Sequence, residues 1–285
     1  MVGHEMKRAV STWSLHRTLG GFSGADSAFA GGGFLSPPDK PPRQSLLDLL
    51  PELAERGYTT LQICHFHLES REGGYLDRMR EAMFAEGILL DMVLIDDGDV
   101  TAPNLGGQLS WYDGWLDAAE RLGANRARIC AGRCAPSPEL LRSSGQILAS
   151  LARRHPGVRV VTENWLEMTP DASSVRAVLE AAEGEIGLLI DLGNWTGPGK
   201  YEELAAIAPL AESCHAKCHF TADGPDERDF RRTLSILLDG SFTGPMALIY
   251  DGPDDDEWSG LDREWEIVIS VLDVHEKRQS ARVFG

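Results

Sequence analysis

Short apolar runs and amphipathic segments alternate eight times along this chain, and few architectures accept that rhythm. Strand-like runs are predicted at residues 10–15, 60–65, 89–95, 126–131, 158–163, 186–191, 214–219 and 245–250. Helical periodicity fills the intervals at 45–56, 75–86, 110–122, 138–154, 173–182, 200–211, 227–238 and 261–276. Ser110 is the expected cap of the third helix, and Gly57, Gly87 and Gly123 are expected stops. Strands alternating with helices imply parallel pairing through right-handed crossovers. Eight such units fit an α/β fold of the closed (β/α)8 TIM-barrel kind better than an open sheet. The 285 residues suit one domain, 1–285, with a long loop over 20–43 after the first strand. That loop is rich in Gly and Pro, has no period, and is long enough to close over a substrate. No glycine-rich phosphate fingerprint follows any strand; Gly31, Gly32 and Gly33 fall inside the long loop instead.

Charge narrows the partners. With 44 acidic against 27 basic residues the formal net charge is −17, which disfavours nucleic acid and anionic lipid. No apolar run is long enough to span a bilayer, and the N-terminus lacks a signal-peptide h-region, so a cytoplasmic location is expected. The composition leaves homo-oligomerisation open. The five cysteines are an odd number and a poor disulfide framework. Cys214 and Cys218 adjoin His215 and His219, but alternation along a strand puts the two residue types on opposite faces, against a Cys-His zinc cluster.

In a barrel of this kind chemistry collects where strands end. Ionisable residues stand at nearly every predicted strand end: His16, His65 and His67, Asp96 and Asp97, Arg128 and Arg133, Glu163, Asp191, His215 with Lys217 and His219, and Asp251. The residues just upstream are apolar, as in Val160-Val161 and Leu188-Leu189-Ile190. Converging carboxylates repel unless a cation sits among them. Glu163, Asp191 and His215 together suit a divalent ion: Mn2+, Co2+, Zn2+ or Mg2+. Plainer readings stand beside this one. Glu163 can pair with Arg159 or Arg128, Asp191 can close an Asx-turn, and His215 can be a core histidine. Trp13, Trp165 and Trp195 can wall a sugar-sized pocket or simply pack.

Five segments carry a resemblance: STWSLH at 11–16, ELAERGYTTLQICHFHL at 52–68, TEN at 162–164, DLGN at 191–194 and CHAK at 214–217. In this order and spacing the chain resembles the sugar phosphate isomerase/epimerase superfamily. These are the xylose isomerase-like TIM barrels, a group that also holds ketose 3-epimerases and endonuclease IV. The resemblance spans nearly the whole chain. It implies a divalent metal held by Glu163, Asp191 and His215. The superfamily's fourth ligand, a strand-eight glutamate, does not carry over, because Ile249 stands there and Asp251 follows two residues on. The strand-six histidine is replaced by Asn194.

The resemblance implies a metal-dependent isomerase or epimerase acting on a sugar, sugar phosphate or polyol-derived ketone through an enediolate. Glu163 is then ligand and base, with Asp251 or His16 as a second proton-transfer group and Lys217 as a neutralising cation. His67, Asn164, Asn194, Trp13 and His219 are expected to contact substrate. Because of the two departures, alternatives stay open: a metal-dependent lyase or hydratase, a C-glycoside-cleaving enzyme, and a non-catalytic sugar-binding barrel. An endonuclease IV-like nuclease is disfavoured by the charge.

Overall fold

The computed structural model describes residues 7–20, 42–221 and 223–284. Eight parallel strands close into a barrel in chain order: Arg8–Ser11, Tyr58–Cys64, Leu89–Ile95, Arg126–Ile129, Arg159–Glu163, Gly187–Asp191, Ala211–Lys217 and Met246–Ile249, the last pairing with the first. Helices cover the outside, and no helix among the described residues is long and apolar enough to cross a membrane. The fold is therefore a (β/α)8 barrel, and the eightfold alternation was the right signal for it. The long 20–43 loop lies almost wholly outside the described residues.

Two apolar compartments follow from strand alternation. One set of strand side chains packs outward against the helices. A smaller set, including Cys64, Met92, Leu94, Val161 and Leu189, forms a separate cluster with Trp13 packed against it. Below the mouth the barrel interior is polar. Gln62 Nε2 on the second strand donates to Asp91 Oδ2 on the third at 2.9 Å and to Ser213 Oγ on the seventh at 3.0 Å. The second and seventh strands are not neighbours, so this bond crosses the lumen. Arg126 at the start of the fourth strand pairs with Asp91 from below.

Three local expectations are corrected. The first strand stops at Ser11, not Leu15. Ser11 Oγ accepts from Trp13 N at 3.2 Å and turns the chain into a 3-10 turn, Thr12–Leu15, so a β-favouring composition yields to a cap. The helix expected from Ser110 begins five residues earlier, at Leu105, capped by Asn104, whose Oδ1 accepts from Gly107 N. Ser110 sits inside it and donates to the Gly106 carbonyl. The seventh strand runs Ala211–Lys217, so its start was set too late and His219 falls beyond its end.

Helices Pro138–Arg154 and Ala172–Ala181 approach closely where Gly145 has no side chain. A Cβ there would meet the Val178 carbonyl oxygen at 2.4 Å and Ala181 Cβ at 2.7 Å. Backbone cannot yield cheaply, so overpacking outweighs the ~1 kcal/mol that alanine gains in a helix. Gly145→Ala is expected to lose about 1–3 kcal/mol of stability. Urea unfolding should show this as a lower midpoint at unchanged slope.

Candidate metal centre

Strands five and six end at Glu163 and Asp191, His215 stands two residues before the end of strand seven, and closure of the barrel brings all three together. Glu163, Asp191 and His215 are buried, and each offers a ligand atom within 4.8 Å of the others. His215 Nδ1 lies 3.3 Å from Glu163 Oε1 and 3.4 Å from Asp191 Oδ2.

The tautomer of His215 is fixed by the polar lumen beneath it. Gln62 spends its amide N–H groups on Asp91 and Ser213, so its Oε1 must accept, and it takes the proton of His215 Nε2 at 2.9 Å. Nδ1 is thereby turned, as a ligand atom would be, toward the two carboxylates. Asp191 is held just as firmly. Its Oδ1 accepts from Gly193 N at 2.6 Å and Asn194 N at 2.8 Å, which is an Asx-turn, and leaves Oδ2 facing His215. The turn reading and the ligand reading of Asp191 are therefore compatible. Asn164 grips the Asp191 backbone on both sides: its Oδ1 accepts from Asp191 N at 2.7 Å and its Nδ2 donates to Asp191 O at 3.0 Å. Gly193 is required here, since a Cβ would come within 2.8 Å of the Lys217 stem.

A cavity of about 210 Å3 opens above the triad. Trp13, Trp165, Asn194 and Lys217 line it, as do Asp96 and Arg128 from strands three and four, and Leu94 and Ile249. Arg128 is the buried cation of the mouth. Its Nη2 donates to Asp96 Oδ1 at 2.5 Å, and its Nε stands 3.0 Å from Glu163 Oε2 without the alignment of a hydrogen bond. Arg128, not Arg159, is thus the basic neighbour of Glu163; Arg159 pairs with Glu212 at the other end of the barrel. Asn194 Nδ2 donates to Glu163 Oε1 at 3.0 Å.

Burial alone would neutralise these groups, and their charged neighbours reverse it. Asp96 is drawn down to about 2 by Arg128 and His65 against the cost of its burial. Asp191 is held below the ordinary carboxylate range by His215 and Lys217, again against burial. Burial pushes the His215 imidazole down, but Glu163 and Asp191 outweigh it and raise its pKa to about 9. Lys217 is raised by Asp191 and Asp251 against burial, and its Nζ meets Asp251 Oδ2 at 2.6 Å.

Of the other expected site residues, Asp251 is committed to Lys217 and does not join the triad. His67 lies off the cavity lining. Thr12 Oγ1 is 2.8 Å from its Nδ1 and the Gly20 carbonyl 3.1 Å from its Nε2, and burial lowers its pKa to about 3. His16 Nδ1 is 2.8 Å from the Trp13 carbonyl, and neither His16 nor His219 lines the cavity. Sequence reading missed Arg128 and Asp96 as a cavity pair, and missed Gln62, Asp91 and Ser213 beneath the triad. A signal existed: Asp91 is the one polar residue of an otherwise apolar strand, and Gln62 interrupts the apolar second half of strand two.

The donor set fits a divalent ion, since two carboxylates and an oriented imidazole Nδ1 face one point. No family model and no curated protein matches the sequence. Solved structures do. A xylose isomerase domain protein from Planctomyces limnophilus superposes with a TM-score of 0.63 at 18% identity, over 80% of this chain and 92% of that one. The fold is that of the xylose isomerase-like barrels. D-Psicose 3-epimerase with D-tagatose from Clostridium cellulolyticum H10 gives a TM-score of 0.60 at 14% identity, covering 81% and 92% of the two chains. The "probable 3-DHS dehydratase AsbF" of Bacillus anthracis gives 0.64 at 12%, covering 90% and 98%.

Two expectations follow from this site. In the metal-free protein His215 carries a second ring proton, on Nδ1, at pH 7, and an imidazole that ligates through Nδ1 cannot keep it. Metal binding at that pH should release about one proton, measurable by titration calorimetry in buffers of different ionisation enthalpy. A raised folded pKa also means the charged imidazole stabilises fully below about 6.5. Metal-free protein should therefore melt progressively lower as pH rises from there through about 9, and a flat profile would contradict the arrangement. Separately, Gln62→Leu should weaken metal affinity by roughly 10–100-fold while the barrel stays folded by circular dichroism.

Proposed function

We propose that this chain is a divalent-metal-dependent enzyme that moves a proton next to a carbonyl in a sugar-like substrate. The substrate is a sugar, sugar phosphate or polyol-derived ketone, and the reaction is isomerisation or epimerisation. The observation that carries this reading is the meeting of Glu163, Asp191 and the tautomer-fixed His215 beneath a cavity in the barrel mouth. Neighbours of the same fold support it, since one bears the name of an epimerase and another that of a dehydratase.

A bound ion would supply Lewis-acid polarisation of the carbonyl and so acidify the adjacent C–H. The rest is the work of side chains. Glu163 is the carboxylate best placed to accept the proton, with Asn194 donating to its Oε1 and the Arg128 charge beside its Oε2. The Lys217 ammonium, backed by Asp251, faces the cavity and neutralises charge developing on an enediolate oxygen. Arg128 and Asp96 form a fixed polar wall that hydroxyl groups can bond. Trp13 and Trp165 narrow the cavity and exclude water.

One observation favours a second reading. Ile249 occupies the eighth-strand position on the cavity wall, and Asp251, His16 and His67 all lie outside that lining. With Asp96 paired to Arg128 and Asp191 held in its turn beside His215, Glu163 and the Lys217 ammonium are the proton-transfer groups left in the cavity, in place of two opposed bases. That pairing suits a lyase or dehydratase, in which Glu163 removes the proton and Lys217 protonates the departing hydroxyl.

Purified protein should carry about one equivalent of divalent ion per chain, and Glu163→Gln should lose most of it together with activity. Lys217→Met should keep the metal yet lower kcat by about 10²–10⁴-fold. Elemental analysis of both variants, beside proton exchange into ketoses in deuterated water, checks the assignment. Full metal occupancy in Glu163→Gln would refute it.

A further inference from the structure

A second cavity of about 520 Å3 adjoins the metal chamber, and Trp165 and Asn194 line both. The metal chamber by itself, at about 210 Å3, is smaller than the ~300–1,000 Å3 usual for sites of drug-sized ligands. The second chamber is walled by Leu166, Pro170 and Trp195 on its apolar side and by Arg133, Glu167 and Asn164 on its polar side.

This wall is built. Thr169 Oγ1 accepts from Trp165 N at 3.0 Å and lies 2.7 Å from the Trp165 carbonyl. The Thr169 carbonyl accepts from Trp195 Nε1 at 3.0 Å, so one threonine ties the Trp165 backbone to the Trp195 indole. Leu166 between them is held at φ 68, a conformation unfavourable for leucine. Arg133 is pinned in its turn: Nη2 donates to the Asp96 carbonyl at 2.7 Å and Nε to the Gly98 carbonyl at 3.2 Å.

Charge decides what the two chambers accept. Every cation lining them among the described residues already has an acidic neighbour. Arg128 has Asp96 and Glu163, Lys217 has Asp251, and Arg133 has Asp97 at 3.8 Å. A phosphate needs cations or backbone N–H groups to spare. A second ring needs flat apolar faces, and the two indoles lining this chamber, that of Trp195 held by Thr169, supply them.

We infer that the substrate is a neutral two-ring glycoside. Its ketone-bearing sugar lies over Glu163, Asp191 and His215, and its second ring rests against Trp165 and Trp195 in the adjoining chamber. This inference rests on the proposed function, because the reacting end is placed by the metal triad.

The test uses metal-loaded full-length protein and four probes: fructose, fructose 6-phosphate, and the ketose disaccharides lactulose and turanose, titrated by calorimetry. At least one disaccharide should bind about ten-fold more tightly than fructose, and fructose 6-phosphate no more tightly than fructose. Leu166→Asn, which suits the left-handed backbone, and Trp195→Leu should each erase the disaccharide advantage while fructose and metal affinities hold. Equal binding of disaccharides and fructose, no binding by either disaccharide, or tighter binding of the phosphate overturns the inference and leaves the metal reading intact. Failure of the protein to bind Mn2+, Co2+, Zn2+ or Mg2+ at all defeats the metal reading instead; the ring preference is then read with metal-free protein, where equal affinities overturn it too.

Discussion

Three buried carboxylates, Asp96, Glu163 and Asp191, share the mouth of one barrel, and everything around them answers that crowding. Ligand atoms of Glu163 and Asp191 lie within 4.8 Å of each other. Unit charges at such a distance repel by roughly 3–4 kcal/mol at an effective dielectric of about 20. Nothing in a folded chain of ordinary stability tolerates that without compensation. Arg128 answers from strand four, Lys217 from strand seven, and His215 takes up a proton when no metal is bound. A divalent ion answers the same need more completely, which is why a site balanced by a protonated histidine is also a site poised for metal.

Orientation comes from below. Arg126, Asp91, Ser213 and Gln62 form a hydrogen-bonded column through the lumen and end on His215 Nε2. Each member satisfies the next, so the polar interior costs little, and removal of one member would leave others buried without partners. The column links the barrel's stability end to its chemistry end. It also explains a polar lumen in a fold whose interior is more often filled with branched apolar side chains.

The fold was legible because alternation of strand and helix is a local property, written in periodicity and in turn residues. Eight strands were recognised near their true places, and the triad was found because strand ends are legible too. The misplaced ends have local causes: Ser11 and Asn104 act as caps that a propensity reading passes over. The partners of the site were less legible. Asp251 was expected as a second proton-transfer group, but its side chain is taken by Lys217. His67 was expected at the substrate, but Thr12 and Gly20 engage both of its ring nitrogens.

By itself the sequence determined the eight units, the closed architecture, and which three side chains strands five, six and seven would bring to the mouth. Only the tertiary structure decided which way His215 faces, that Arg128 and not Arg159 stands beside Glu163, and that two chambers meet at Trp165. The reason is physical. Periodicity sets the face and the end on which a residue sits, and neighbours along the chain fix that. Hydrogen-bond direction and charge pairing depend on residues tens or hundreds of positions away, brought within 3 Å or so only when the barrel closes.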